Sequence, residues 1–592
     1  MENDPSHGLP RRQFLLATAA AGAAGLGLSG GGVANATPLP RTGRSVAVLG
    51  GGVAGLSAAH ELAERGFDVT VYERNALGGK ARSIPVPGTG REGRADLPGE
   101  HGFRFFPGFY KNLPDTMRKI PFPGNSNGVH DNLVAVSQVL FARRHGRADL
   151  PIPTKLDIPA FDPDGLRKAL QAYLETVCNL PPHEALFFAN RVLVYLTSCD
   201  ERRFGQWEQV AWWDFVRADR WSDDFRALLA VGITRNIVAT KAEHASTNTI
   251  GRIVEAFLYN ALGRGNDGPV DRILDAPTNE AWIDPWVQHL TSLGVEFKIG
   301  WTVEGLAYDG RRVTSAGIRD PKGNLRQLDA EWFICAVPIE RAIPLWNRDI
   351  IAADPQLARA RKLKTDWMIG VQFFLRRRTP LNPGHIDYVE SPWSVTSISQ
   401  AQFWPGRDFA REYGDGTVHD CLSVVLSEWE KEGMLFGKTA KQCTREEVAR
   451  EAWAQIKDSL EDTGEEVLPD DLLHSWSVAP TLVDAGRPHV RNEEPLLIHP
   501  VGTWDNRPTA RTRIPNFFLA ADYVRNDMDL ATMEGANEAA REAVNALLDR
   551  AGSNAPRCTI RTLYQPPEFE PFKVQDRISY RLGLPNAFDV IP

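Results

Sequence analysis

Ser45-Val46-Ala47-Val48-Leu49-Gly50-Gly51-Gly52-Val53-Ala54-Gly55, answered by Val69-Thr70-Val71-Tyr72-Glu73, is the stretch that decides the fold. The apolar run from Val46 to Leu49 predicts a parallel strand buried on both faces. It runs into Gly50-x-Gly52-x-x-Gly55, after which Leu56 to Arg65 carries the apolar spacing of a helix. In such a strand–turn–helix Gly50 makes the tight turn, Gly52 lets a pyrophosphate approach the backbone, and Gly55 lets helix and strand pack closely. The helix N-terminus adds free N–H groups and the positive end of its dipole. Glu73 closes the second strand about twenty residues on, where a carboxylate accepts hydrogen bonds from a ribose. The expectation is a dinucleotide site in an α/β fold; the bland alternative is an ordinary βαβ turn.

The composition around this unit is that of a soluble globular protein, and 592 residues are enough for several cores. A formal charge of −8 without an acidic or basic block argues against nucleic acid as a partner. The six cysteines are scattered, with no CxxC pair, so neither a metal site nor a disulfide framework is expected, and buried free thiols are. Arg11-Arg12-Gln13-Phe14-Leu15, an Ala/Gly/Leu segment to Leu28 and Ala34-Asn35-Ala36 together read as a twin-arginine export signal with a cleavage site. That transport carries folded proteins, so a tightly held dinucleotide would be loaded before export. The segment is too short and glycine-rich for a good membrane span.

Past Glu73, Leu77-Gly78-Gly79-Lys80-Ala81-Arg82-Ser83 offers a second close backbone approach, with Lys80 and Arg82 placed to face phosphate. Gly99-Glu100-His101-Gly102-Phe103-Arg104-Phe105-Phe106-Pro107-Gly108-Phe109-Tyr110 is an aromatic loop carrying one acid, one histidine and one arginine. Such a mixture suits a ligand cavity that is apolar apart from a few placed polar groups. Asp164 to Leu262 reads as helical, with Trp207, Trp212 and Trp213 expected in its core. Strands follow at Val295–Ile299, Thr302–Tyr308, Arg312–Arg319 and Trp332–Val337, the last rejoining the first sheet. Met368 to Leu375 is read as opening a second, antiparallel sheet, and the proline-rich tail from Gly552 as a surface strap.

Near the end, Asn516 to Tyr523 is one more buried strand carrying Asp522, and Ala531 to Arg541 opens an alanine-rich helix containing Met533. An early dinucleotide unit answered by a late strand–Asp–helix outlines a flavin-adenine-dinucleotide (FAD) site. The late helix would aim its N-terminal dipole at the flavin edge where negative charge builds up on reduction. Asp522 would hold the ribityl–phosphate region.

These blocks resemble the FAD-dependent amine oxidase and phytoene desaturase superfamily, and within it the plant and cyanobacterial type of carotene desaturases. Four stretches carry the likeness: Gly50 to Gly79, Gly99 to Asn112, Ile273 to Val303, and Phe518 to Arg541. The resemblance implies a Rossmann-like FAD-binding domain of the glutathione-reductase type, paired with a second, mixed α+β substrate domain. It implies cofactor contacts from Gly50, Gly52, Gly55, Glu73, Arg74, Gly78, Gly79, Lys80, Arg82, Val303 (through its backbone), Asp522 and Met533. The organisation expected is signal and linker at 1–43, FAD-binding parts at 44–120, 271–345 and 501–551, substrate parts at 121–270 and 346–500, and the strap at 552–592. Lys80 departs from the family's usual Arg, and Ala521 from the Gly before the Asp. Amine oxidases of this superfamily often carry a lysine beside the flavin, and the matching position here is read as Ile369, which counts against simple amine oxidation.

The function expected is an FAD-dependent oxidoreductase taking hydride from a hydrophobic, isoprenoid- or carotenoid-like substrate, with quinone or oxygen as electron acceptor. Glu100 and His101 are the candidate proton acceptors, and Arg104 the candidate holder of an anionic group or a structural carboxylate. Export to the periplasm, cell envelope or medium, with peripheral membrane contact, goes with this reading. An exported amine or L-amino-acid oxidase, and a flavin-binding protein without catalysis, are the competing readings.

Overall fold

The computed structural model describes residue 39 and residues 42–102, 104–158 and 160–590. The segment read above as an export signal, and Phe103, lie outside the described residues. Five parallel strands form the first sheet in the order Phe517–Leu519, Trp332–Cys335, Ser45–Leu49, Asp68–Glu73 and Glu296–Ile299. Val46 to Leu49, Trp332 to Cys335 and Phe517 to Leu519 are all buried, as continuous apolar runs in a parallel sheet must be. The sheet thus sets the early strand, the middle strand and the late strand side by side.

Two helices rich in small residues cover this sheet. Val53–Glu64 carries Ala54, Gly55, Ala58 and Ala59, and Met533–Arg550 carries Ala536, Ala539, Ala540 and Ala543. The two pack on each other, and Asn537 Nδ2 donates to Ser57 Oγ at 2.8 Å across the contact. Small side chains let the backbones approach, so the late helix lies against the one that opens the dinucleotide unit.

The remaining strand set departs from expectation in three ways. Glu296–Ile299 pairs with Asp68–Glu73 at the edge of the first sheet instead of with the strands after it. Thr302–Tyr308 and Val313–Arg319 pair with Leu325–Asp329, a polar strand that apolar alternation does not reveal. The second sheet is seven-stranded and mixed, not antiparallel throughout. Its order is Leu473–Val478, Ile369–Leu375, Asp420–Leu426, Val395–Ser399, Ile386–Tyr388, Gln138–Ala142, Leu150–Pro153, and the pair Ile386–Tyr388 with Gln138–Ala142 is parallel. The 369–375 strand is interior because Leu473–Val478 pairs on its outer side, and it is not the first of the sheet in chain order because the 138–153 hairpin joins the far edge.

Between these strands the helical expectation holds, with helices at Pro163–Thr176, Pro182–Thr197 and Thr247–Ala261 and a π-helical stretch at Arg226–Asn236. Trp207 and Trp212 are core residues of this part. The tail is more than a strap: it folds into the helix Glu570–Arg581, whose buried Asp576 pairs with Arg202. All six cysteines are free and buried. Among the described residues, no helix is long and apolar enough to cross a membrane and no His/Cys/Asp/Glu group is arranged for a metal.

Candidate cofactor and active site

The first strand ends in the glycine turn, and the helix that follows has Gly52 at its N-cap with no side-chain cap and no acid in its first turn. Its first N–H groups are therefore open to an anion. The glycines divide into two kinds. A Cβ on Gly55 would lie 1.9 Å from Gly50 O, so the fold itself demands glycine there. A Cβ on Gly52 would meet nothing nearer than Gly79 Cα at 3.7 Å, and its φ of −75° suits any residue. Packing does not account for that glycine; a ligand running over the turn does.

Glu73 stands at the same turn. Its carboxylate accepts from Gly51 N and Asn75 N, both at 2.8 Å, one bond to each oxygen, which leaves lone pairs for a ribose. Trp301 N–H donates to Glu73 O at 3.0 Å, which brings Val303, two residues on, alongside the same edge. Gly78 N–H donates to Gly51 O at 2.8 Å, so the second glycine turn lies on the first. The uncapped helix end, the unexplained Gly52 and the Glu73 carboxylate fit the adenosine and pyrophosphate end of FAD.

The cations expected to face phosphate are engaged by protein groups. Lys80 Nζ lies 3.0 Å from Glu340 Oε1 and also donates to Pro495 O, while Arg82 Nη1 donates to Glu494 Oε2 at 3.0 Å and to Gly79 O at 2.6 Å. Arg74 lies 3.9 Å from the same Glu494. Phosphate recognition falls to the backbone in this arrangement. At the other end of the site, Asp522 is half-buried just past the 517–519 strand, with its carbonyl held by Arg507 Nη2 at 2.8 Å. Met533 opens the late helix and packs beside Phe109 and Tyr110. The next residue, Glu534, is buried and accepts from Lys111 N at 2.9 Å, Asn112 N at 2.7 Å and Leu113 N at 2.8 Å, so it clamps the end of the aromatic loop to the late helix.

Within the aromatic loop the polar residues form a buried network. Glu100 Oε1 accepts from Thr278 N at 2.9 Å and Ser83 Oγ at 3.0 Å, while Oε2 has no hydrogen-bond partner among the described residues. Burial pushes the Glu100 carboxyl above its ordinary range, and burial likewise lowers Arg104, whose Nη2 is 3.9 Å from Glu100 Oε2. Arg104 Nη2 also donates to Gly102 O. His101 Nε2 lies 2.9 Å from Glu494 Oε2, and burial pushes the imidazole below its ordinary value. Burial alone would raise Glu494; the hydrogen bond and charge of His101, with Arg82, outweigh it and keep this group the carboxylate. Arg104, Thr278 and Gln400 line one small cavity with Ile273 and Ile398.

The loop rests on the seven-stranded sheet, and the face it covers is not the one inferred from sequence. Ile369, Val371 and Phe373 belong to the apolar core on the far side. Gly370 lies under the loop, where a Cβ would come 2.5 Å from His101 O. Ile369 thus faces away from the loop; Gly370 and, by the alternation of the strand, Gln372 share the face beneath it. Sequence reading also missed Glu494, which gathers Arg74, Arg82 and His101 from about four hundred residues away, a separation at which no local pattern signals a contact.

Comparison with known proteins places this geometry among relatives. The profile described as flavin containing amine oxidoreductase matches residues 53–548. A carotenoid phi-ring synthase of Streptomyces griseus is 25% identical over 512 residues, 86% of this chain and 88% of that protein. The 15-cis-phytoene desaturase of Synechococcus elongatus is 22% identical over 516 residues, 85% of this chain and 96% of that one. A carotenoid phi-ring synthase of Chlorobaculum tepidum aligns over 46% of this chain but only 39% of its own length, at 25% identity. Among solved structures, cyclohexylamine oxidase from Brevibacterium oxydans superposes with a TM-score of 0.56 at 12% identity, covering 86% of this chain and all of that one, a likeness of fold.

Proposed function

This chain belongs to the flavin-containing amine oxidoreductase family and is an FAD-dependent oxidoreductase, and from that premise we propose that it oxidises a hydrophobic, isoprenoid-like molecule by removing hydride from carbon. One observation carries the proposal: the aromatic loop closes on the helical part through rings. Phe105 and Phe109 both pack on Phe257, with centroids 5.9 and 5.3 Å apart, beside buried Met528. Neither Ile369–Leu375 nor Asp420–Leu426, the strands beneath the loop, contains a lysine, which speaks against simple amine oxidation. The two carotenoid enzymes that align with more than four-fifths of the chain support the same substrate class.

FAD, when bound, supplies the hydride acceptor. The glycine turn and Glu73 hold its adenosine end, and Asp522 and the start of the Met533–Arg550 helix serve its flavin end. Phe105, Phe109 and Phe257 exclude water and hold an apolar chain in place. Loss of hydride leaves a proton to be removed from the neighbouring carbon. Glu100 takes it at Oε2, the buried oxygen without a hydrogen-bond partner, and the Arg104 cation beside it opposes burial by favouring the carboxylate before the transfer. His101, held by Glu494, is a positioning residue that fixes the loop. Electrons leave to a quinone or to oxygen. Export through the twin-arginine pathway, proposed from Arg11-Arg12-Gln13-Phe14-Leu15, would put the reaction outside the cytoplasm, at or near the membrane.

Anaerobic mixing of the purified protein with polyenes, isoprenoids, amines and amino acids tests this reading. Bleaching of the flavin by isoprenoids is the expected result. Bleaching by amines or amino acids alone, with peroxide formed in air, would replace it with an oxidase of those compounds. A flavin that no donor bleaches would point to binding without catalysis.

A further inference from the structure

The sheet face beneath the aromatic loop carries buried polar side chains where a site for a pure hydrocarbon has no use for them. Gln372 on Ile369–Leu375 and Ser423 on Asp420–Leu426 are register partners, both buried, and Gln400 follows the neighbouring strand Val395–Ser399. They form a directed chain. Gln400 Nε2 donates to Ser423 Oγ at 2.5 Å, and Ser423 Oγ donates to Gln372 Oε1 at 2.6 Å. The serine hydroxyl has then spent its one hydrogen. Gln372 Nε2, at the end of the chain, has no hydrogen-bond partner among the described residues. Turning the amide over does not remove the deficit: its nitrogen would then face Ser423, and its oxygen would be left bare. A buried polar atom that the protein leaves unpaired is unfavourable unless something else pairs it.

Two neighbours place this end at the active site. The alternation of the strand puts Gln372 on the same face as Gly370, which packs under His101 O. Gln400, the start of the hydrogen-bond chain, lines the cavity that Arg104 also lines.

We propose that Gln372 is a specificity-determining residue that hydrogen-bonds an oxygen function on the substrate, so that the isoprenoid oxidised here carries a hydroxyl or carbonyl group and is not a plain hydrocarbon. The proposal rests on the isoprenoid reading above and narrows it. A hydroxyl both donates and accepts, and so completes the chain whichever way the amide lies. A site of this kind disfavours an analogue lacking the oxygen, because the buried amide is then left unpaired.

The test is a titration of the FAD-loaded enzyme with geranylgeraniol and with its deoxy hydrocarbon, read as the perturbation of flavin absorbance. Both probes are transparent where the flavin absorbs. Wild type, Gln372→Leu and Gln372→Met are compared, the last keeping the side chain's length should leucine fail to fold. The expected result is that wild type prefers the alcohol over the hydrocarbon by at least about tenfold. In the variants that ratio falls toward one, with affinity for the hydrocarbon and for FAD unchanged. An unaltered ratio in the variants, or lost FAD affinity with the ratio intact, overturns the proposal and assigns Gln372 to the fold or the cofactor. Equal binding of both probes by wild type overturns it while leaving the isoprenoid reading in place. Binding of neither probe overturns both.

Discussion

Asn537 Nδ2 lies 2.8 Å from Ser57 Oγ, a hydrogen bond between residues 480 apart that ties the helix of the late strand–helix unit to the helix of the first glycine turn. The same amide donates to Thr116 Oγ1 at 2.9 Å, on the helix that follows the aromatic loop. Arg541, one turn further along, reaches Asn112 O at 2.9 Å and Thr116 Oγ1 at 2.8 Å. Three segments to which the proposed cofactor site is assigned are therefore joined by buried side chains. Asn537→Ala removes the shared donor and leaves Ser57 Oγ without it, while Thr116 Oγ1 keeps Arg541, at a cost of about 1–3 kcal/mol. Calorimetry of the variant is expected to show a lower Tm together with weaker FAD retention, since both depend on the same seam.

The two kinds of glycine should part company on substitution. Gly55→Ala collides with Gly50 O and is expected to abolish folding, seen as loss of soluble protein. Gly52→Ala meets no protein atom within 3.7 Å, so the apoprotein should keep its far-ultraviolet circular dichroism and Tm while binding FAD at least about tenfold more weakly. Equal damage from both substitutions would mean that Gly52 serves packing and not the phosphate.

Glu100→Gln keeps an acceptor for Thr278 N and Ser83 Oγ but cannot take a proton. Stopped-flow measurement of flavin reduction is expected to slow by about 10²–10⁴-fold, with the flavin spectrum and substrate affinity little changed. Reduction at the wild-type rate would remove Glu100 from the chemistry and leave it a strut of the loop.

Much of the cofactor half is legible in the sequence because its determinants are local: Gly50 to Gly55 with Glu73, and the strand at Phe517–Leu519 running toward Asp522. The substrate half is less so. Ile369–Leu375 is buried along its whole length, so hydrophobic alternation cannot say which side chains face the site, and Ile369 is taken for a position that Gly370 and Gln372 occupy. The hairpin at 138–153 reaches the second sheet by a parallel pairing across about 240 residues, and Glu494 reaches His101 across about four hundred. Such contacts are set by tertiary packing and leave no periodicity behind.

Asp387, buried on the second sheet, accepts from Asn236 Nδ2 at 2.7 Å, and burial pushes its carboxyl up to about 7. The unfolded chain releases that proton near 4, so the folded state holds it over a wider range, and stability falls as pH rises between these values. The loss attributable to this residue is at most about 4 kcal/mol. Asp387→Asn keeps an acceptor for Asn236 and removes the titration. Urea unfolding is expected to show the variant matching wild type at about pH 4 and gaining on it steadily up to about pH 7; a parallel decline of both would place the pH dependence elsewhere.

The central claim is that the glycine turn near the start of the fold and the strand–helix unit near its end hold one FAD between them. Hydrogen–deuterium exchange of the protein with FAD removed and then restored tests it most directly. The account predicts that residues 50–55 and 531–537 slow together, in proportion to one bound FAD per chain. Protection of the first segment alone, or of neither, would contradict it.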